Sequence, residues 1–390
     1  MSYQSLAEMF VSQAMRYGDR VLYRFFRDNH WHSYTWQEAL SLVREIALGL
    51  VSLGVKKGDR VVIFSANRVE WSLIDWANIC IGALTVPLYP TSTAAEVARI
   101  LENSESTMLF VDSPERLAKA DPVHSSPGLV KGVILIEPAK DIVFVPEPGM
   151  VLSLDQLREK GRRYAEANGD LFNRLISSLC PRDELTIIYT SGTTGEPKGA
   201  LTTHGHYLFM VEASGSAIPS SDQEVILQFL PFAHSFGRLE HFMVVAKGYT
   251  CGFARSVESV ARDLLVIRPT LLFSVPRIYE NAYSRIRSRI AAGGLARRTL
   301  FRWAISVGRR FSRFQREGMR IPWSLSVARY LAYLLVFSKV HQAFGGRLRV
   351  AISGGAPLSP EIAEFFHSLG IKILEGYGLT ETSTVSHVNR

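Results

Sequence analysis

Short apolar runs alternate with helical patterns along this 390-residue chain. Residues 60–64, 83–88, 108–111 and 132–136 are stretches rich in Val, Ile, Leu and Phe that read as buried strands. Between them, Thr35 with Glu38 and Thr93 with Glu96 are capping-box pairs that open helices. Leu40, Val43, Ala47, Leu50 and Leu53 follow at helical spacing, and Gly54 stands where that helix would end. A second helix runs through Trp71, Ile74 and Asn78. The alternation resumes with strands at 185–189, 225–229, 249–253, 271–275, 347–352 and 371–374, and with helices at 257–267, 277–290 and 359–368. This order predicts βαβ units and parallel sheets covered by helices on both faces. The fold class expected is α/β, as two stacked lobes with mostly parallel sheets: a first lobe at 1–183 and a second at 184–390.

The stretch 188–199, Ile-Tyr-Thr-Ser-Gly-Thr-Thr-Gly-Glu-Pro-Lys-Gly, departs from that rhythm. A β-branched run gives way to hydroxyls, glycines, a proline and one lysine, and a helical pattern begins near His204. A strand, a Gly/Thr-rich loop and a helix form an arrangement suited to polyphosphate. Gly192 and Gly195 let the backbone approach an anion. Thr190, Ser191, Thr193 and Thr194 supply hydroxyls, and Lys198 supplies a full positive charge. The spacing excludes a Walker-type loop, because Pro197 precedes the lysine and Gly199 follows it. On composition alone, a plain connecting loop is the other reading.

The string 189–199 resembles the signature of the acyl-adenylate-forming superfamily, which includes acyl-CoA synthetases, adenylation domains and luciferases. Two further strings match in order: Pro-Phe-Ala-His-Ser-Phe-Gly at 231–237 and Glu-Gly-Tyr-Gly-Leu-Thr-Glu-Thr at 375–382. Between them, Ser-Gly-Gly-Ala-Pro at 353–357 resembles the adenine-side loop. The segments 274–279 and 344–349 resemble long-chain acyl-CoA synthetases most closely. The resemblance implies ATP-dependent activation of a long-chain fatty acid to acyl-AMP and then acyl-CoA, with ATP, Mg²⁺ and CoA taking part. It implies that the 190–195 loop and Lys198 hold phosphates, that Tyr377 stacks on adenine, and that Thr380 touches the α-phosphate. Glu381, with Thr193, would hold Mg²⁺, and Gly354, Gly355, Ala356, Glu375, Gly376 and Gly378 would complete the nucleotide site. His234, Lys198, Thr193 and Glu381 are the residues expected beside the reacting groups, with His234 as a gating or orienting group. Read from residues alone, His234 is more often a structural histidine among apolar neighbours than a catalyst, and Glu381 more often a solvated acid at a helix start. His204 and His206 read as structural.

Composition bounds the remainder. The chain is 47% apolar and 21% charged, within the range of globular proteins. No uncharged apolar run reaches the roughly 18–20 residues that span a bilayer. The start shows no basic segment leading into an apolar core, so no secretory signal is expected. Cys80, Cys180 and Cys251 are few and scattered, as expected of buried thiols in a reducing cytoplasm. The net charge of +8 comes from one place: 285–320 holds eleven arginines and a single acid, Glu317. There Leu300, Phe301, Trp303, Ile305, Val307, Phe311 and Phe314 interleave with the arginines. The insertion reads as a basic amphipathic helix at an anionic membrane surface, or as a solvated helix contacting a protein or CoA. Nothing else points to nucleic acid.

Members of the resembled family continue past the position of Arg390. A small β-rich subdomain and a mobile C-terminal domain are therefore expected to be missing here, and full turnover to be impaired. Two other functions stay open from the sequence: a fatty acyl-AMP ligase or carrier-protein adenylation domain, and a non-catalytic nucleotide- or membrane-binding module. The oligomeric state stays open too.

Overall fold

The computed structural model describes residues 3–120, 128–137, 150–191 and 197–389. It divides into two compact units that are not consecutive halves of the chain. One comprises 1–215, 230–248 and 379–384; the other comprises 216–229, 249–378 and 385–390. The strand Glu184–Ser191, read in the sequence as opening a second lobe, lies in the sheet of the first unit.

That sheet has seven strands in the spatial order Met150–Ser153, Gly132–Leu135, Met108–Val111, Arg60–Phe64, Leu84–Leu88, Glu184–Ser191 and Pro197–Thr203. All neighbours are parallel except the last pair. Strands buried on both faces need apolar residues at nearly every position, which is why 61–64 and 108–111 read as unbroken apolar runs. Both expected capping boxes form, at Thr35 with Glu38 and at Thr93 with Glu96, and a third joins Ser153 to Gln156. A hairpin, Val21–Arg27 with His30–Thr35, turns through Asp28 and Asn29 at positive φ, the geometry a tight two-residue turn requires.

The strand Pro197–Thr203 corrects one expectation. Between the Gly/Thr loop and the helix, which starts at His204 as expected, the chain first runs back antiparallel along its own strand. A helix N-terminus therefore does not follow the loop directly. Pro197 is tolerated because it opens an edge strand, where its missing N–H breaks no central ladder. Gly199 is required by close approach: a Cβ there would lie 2.7 Å from Ile187 Cγ2 and 3.3 Å from the Tyr189 ring.

In the second unit, Leu271–Ser274, Val350–Ser353 and Lys372–Tyr377 form a parallel sheet extended by the antiparallel His387–Val388. Val225–Gln228 and Thr250–Phe253 make a further parallel pair. Mostly parallel mixed α/β is thus the observed class. The insertion 285–320 runs from the end of the helix Pro276–Ala291 into the helix Leu295–Arg316, and the latter is buried only at Ala304, Val307 and Gly308. Among the described residues no helix is long and apolar enough to cross a membrane. Cys80 and Cys251 are buried as expected, but Cys180 is exposed, because it sits in the connection before Glu184 and not in an element.

Candidate functional site

In the first unit, the strands Leu84–Leu88 and Glu184–Ser191 end at a cavity of ≈ 340 Å³. Crevices at the carboxyl ends of parallel strands are where open α/β sheets bind ligands. Leu88, Tyr89, Thr190, Pro197, His234 and Thr380 are among its lining residues. The structure thus brings together three expected site residues, Thr190, His234 and Thr380, from three separate stretches of chain. Lys198 faces Thr190 across the hairpin, its carbonyl 3.5 Å from Thr190 Oγ1, and its side chain is exposed. Gly192, Thr193, Thr194 and Gly195 lie outside the described residues, as does the side chain of Ser191.

His234 caps the helix Ser235–Lys247: its Nδ1 accepts the Phe236 N–H at 3.1 Å. That bond requires an unprotonated Nδ1, so the neutral ring carries its proton on Nε2. Desolvation works the same way, holding the imidazole below its ordinary pKa although part of the ring reaches solvent. With Nδ1 engaged, His234 can offer the cavity an N–H donor but not a free base.

The helix behind it is fixed by residues that sequence reasoning missed. Arg238 and Asp75, both fully buried, pair at 2.6 Å. His241 Nε2 reaches the same carboxylate at 3.1 Å. Burial acts to raise the Asp75 pKa, but Arg238 and His241 outweigh it and hold the carboxyl below its usual value. The Arg238 guanidinium also lies 5.3 Å from the Trp71 ring and 4.7 Å from the Phe242 ring. Asn67 ties down the preceding loop, donating to the Leu230 carbonyl and accepting the Phe232 N–H. Charged residues within largely apolar helices, Asp75 and Arg238 among them, were the available signal.

Thr380–Thr382 forms a single 3₁₀ turn beside this helix start. Thr380 Oγ1 lies 3.4 Å from Ser235 Oγ, and Thr384 Oγ1 donates to the Ser235 carbonyl at 3.1 Å. Ser383 and Thr384 take φ of 59° and 105°, conformations that L-residues rarely adopt. Glu381 is exposed on the turn. Among the described residues no group of three or more His, Cys, Asp or Glu is placed to hold a metal. A lone carboxylate still fits Mg²⁺, which commonly takes one or two carboxylates and fills its shell with water and substrate phosphate.

The second unit holds the remaining expected residues at the carboxyl ends of adjacent parallel strands. Gly354, Gly355 and Ala356 follow Val350–Ser353, with Gly355 at φ +82° and the Gly354 N–H donating to the Ser274 carbonyl. Glu375 is in register with Ser353, and Gly376 and Tyr377 pair with Val388 and His387 before the chain leaves at Gly378. The Tyr377 side chain is 63% exposed, with the His387 ring 6.3 Å away.

The family profile described as AMP-binding enzyme matches residues 10–390. The chain belongs to the AMP-binding enzyme family. Among relatives of this AMP-binding enzyme, the long-chain-fatty-acid–CoA ligase FadD15 of Mycobacterium bovis is 36% identical over 94% of this chain and 58% of its own length. The long-chain-fatty-acid–[acyl-carrier-protein] ligase AEE15 of Arabidopsis thaliana is 27% identical over 98% of this chain and 56% of its own. The chain therefore spans little more than half the length of these relatives. Solved structures that share the fold include the following two. The N-terminal domain of FACL13 from Mycobacterium tuberculosis gives a TM-score of 0.68 at 20% identity, over 99% of this chain and 78% of that one. The A domain of a carboxylic acid reductase from Segniliparus rugosus, in complex with AMP and a carboxylic acid, gives 0.70 at 20% identity, over 97% of this chain and 60% of that one.

Proposed function

We propose that the whole protein activates a long-chain fatty acid with ATP and transfers the acyl group to the thiol of CoA. A carboxylate oxygen attacks the α-phosphorus, the bond to pyrophosphate breaks, and the thiol later displaces AMP from the mixed anhydride. The observation that carries this reading is the convergence of Thr190, His234 and Thr380 on one cavity of an AMP-binding enzyme.

The first step drives an anion against an anion, so the site must supply positive charge and donors where negative charge accumulates. In this reading Lys198 and the loop carrying Thr190, Ser191, Gly192, Thr193, Thr194 and Gly195 take the phosphate oxygens. Thr380 donates to the α-phosphate, and His234 donates its Nε2–H to the acyl carboxylate and orients it. Glu381 and Thr193 are assigned to Mg²⁺, which when bound supplies further countercharge. In the second unit, Gly354, Gly355, Ala356, Glu375, Gly376 and Gly378 are assigned to the base and Tyr377 to stacking on it. The basic segment 285–320 is assigned to an anionic membrane surface, a suitable place for an enzyme whose substrate partitions into lipid. The acyl-carrier-protein ligase of Arabidopsis thaliana supports a second acceptor, an acyl-carrier protein; thioester assays offering CoA or carrier protein separate the two.

Titration calorimetry with ATP and AMP tests the core of the proposal. Lys198→Ala should weaken ATP binding about ten-fold or more, the loss of one charge-assisted contact. No affinity for either nucleotide, or affinity indifferent to Lys198, removes it.

A further inference from the structure

The helix Trp323–Ala332, continued by the wider turn Tyr333–Phe337, is apolar on two opposite faces. Leu325, Ala332, Val336 and Phe337 are buried. The opposite face presents Trp323, Val327, Tyr330 and Leu334, spaced by three or four residues, with Leu331 beside them. These side chains are exposed by 80%, 50%, 63%, 49% and 44% in that order. Arg329 is the only charged residue between 321 and 338, and it turns inward. Its guanidinium donates to the Ser368 carbonyl at 2.7 Å and lies over the Phe311 and Phe337 rings. Nothing charged therefore interrupts the outer stripe. A helix that is apolar all round is normally buried, so a bare stripe of this size calls for a partner.

The neighbouring helix identifies its chemistry. Leu295–Arg316 packs on Trp323–Ala332, and Arg302, Arg309, Arg310, Arg313 and Arg316 are exposed along it. Phe301, Ile305 and Ser306 form a shallow groove with the first three of these arginines. An apolar stripe carrying Trp and Tyr beside a dense cationic surface matches the acyl–headgroup boundary of an anionic bilayer. A second copy fits poorly, because a two-fold interface would set the same arginines against one another.

We propose that Trp323, Val327, Tyr330, Leu331 and Leu334 insert at the surface of an anionic lipid bilayer, with the arginines of Leu295–Arg316 among the headgroups. This rests on the reading of 285–320 as lipid-facing and moves the inserted element to the helix that follows it. The test is co-sedimentation of the nucleotide-free chain with phosphatidylcholine vesicles, with and without roughly one-third phosphatidylglycerol. Binding should require the anionic lipid. Val327→Glu/Leu334→Glu should lower partitioning by about ten-fold or more, with helix content and ATP affinity unchanged. Arg309→Glu/Arg310→Glu should lower it too, while leaving an apolar residue at every stripe position. If the first double variant does not fold, Val327→Ser/Leu334→Ser replaces it. Quenching of tryptophan fluorescence by brominated lipid, reduced in Trp323→Phe, reads insertion in the intact protein. Partitioning that ignores the stripe variants overturns the proposal, as does equal binding to neutral vesicles. A dimer that these variants dissociate without any change in vesicle binding overturns it as well. If 285–320 alone faces lipid, the arginine variants lose binding and the stripe variants keep it.

Discussion

At His234 the nitrogen that caps a helix is withdrawn from acid–base work. Because Nδ1 accepts the Phe236 N–H, the ring can orient a carboxylate through Nε2–H, but proton abstraction would cost the cap. His234→Asn keeps a good capping acceptor and shortens the reach into the cavity. Its stability should stay within about 0.5 kcal/mol of the parent by urea denaturation, while on the proposed reading acyl-adenylate formation by the whole protein should fall about 10²-fold, the usual loss of one positioned donor. A drop in stability with activity preserved would reverse these roles. Thr384 acts on the same helix start from the other side. Thr384→Val keeps the shape but leaves the buried Ser235 carbonyl without that donor, so denaturation should show a loss of about 1–2 kcal/mol.

Between elements, the buried Asp75–Arg238 pair joins the helix Val69–Ile81 to Ser235–Lys247. Asp75→Ala strands a guanidinium away from water and should cost about 3–5 kcal/mol; Asp75→Leu with Arg238→Met should recover most of that. A double variant no better than the single one, measured by urea denaturation, would mean the pair contributes more than its own desolvation. This pairing was not legible in the sequence, since an acid and an arginine 163 positions apart carry no pattern. The central strands were legible because burial on both faces demands unbroken apolar runs, and the capping boxes because their partners sit three residues apart. The edge strand Pro197–Thr203 was not: with one side exposed and Pro197, Lys198 and Gly199 at its start, it reads as loop. The outer stripe of Trp323–Ala332 was hidden for the opposite reason, because an apolar residue every third or fourth position reads as core whichever way it faces. The motif strings marked Thr190, His234 and Thr380, but only the fold sets them around one cavity.

For the molecule as a whole, the histidines set its response to acid. His204 is fully buried, its Nδ1 accepting the Leu6 N–H at 3.1 Å, and burial lowers its pKa to about 4. In the unfolded chain the same ring titrates near its ordinary value of about 6.5. Between those values the unfolded state binds a proton that the folded state refuses, so stability falls as pH drops through the window and flattens below it. A separation of roughly two and a half units corresponds to about 3 kcal/mol at most. Burial also lowers His234, His241 and His367, and each works in the same direction below about pH 6.5. Asp75 adds a later loss of the same sign, because its pairing contributes only while the carboxyl stays ionised. Urea midpoints should therefore hold steady from about pH 8 to 7 and fall progressively towards about pH 4. His204→Asn, which can still accept the Leu6 N–H, should start from lower stability but lose less of it across that range. A midpoint that stays level from neutral pH to about pH 4 would show that these rings protonate in place, and that their burial does not hold them neutral.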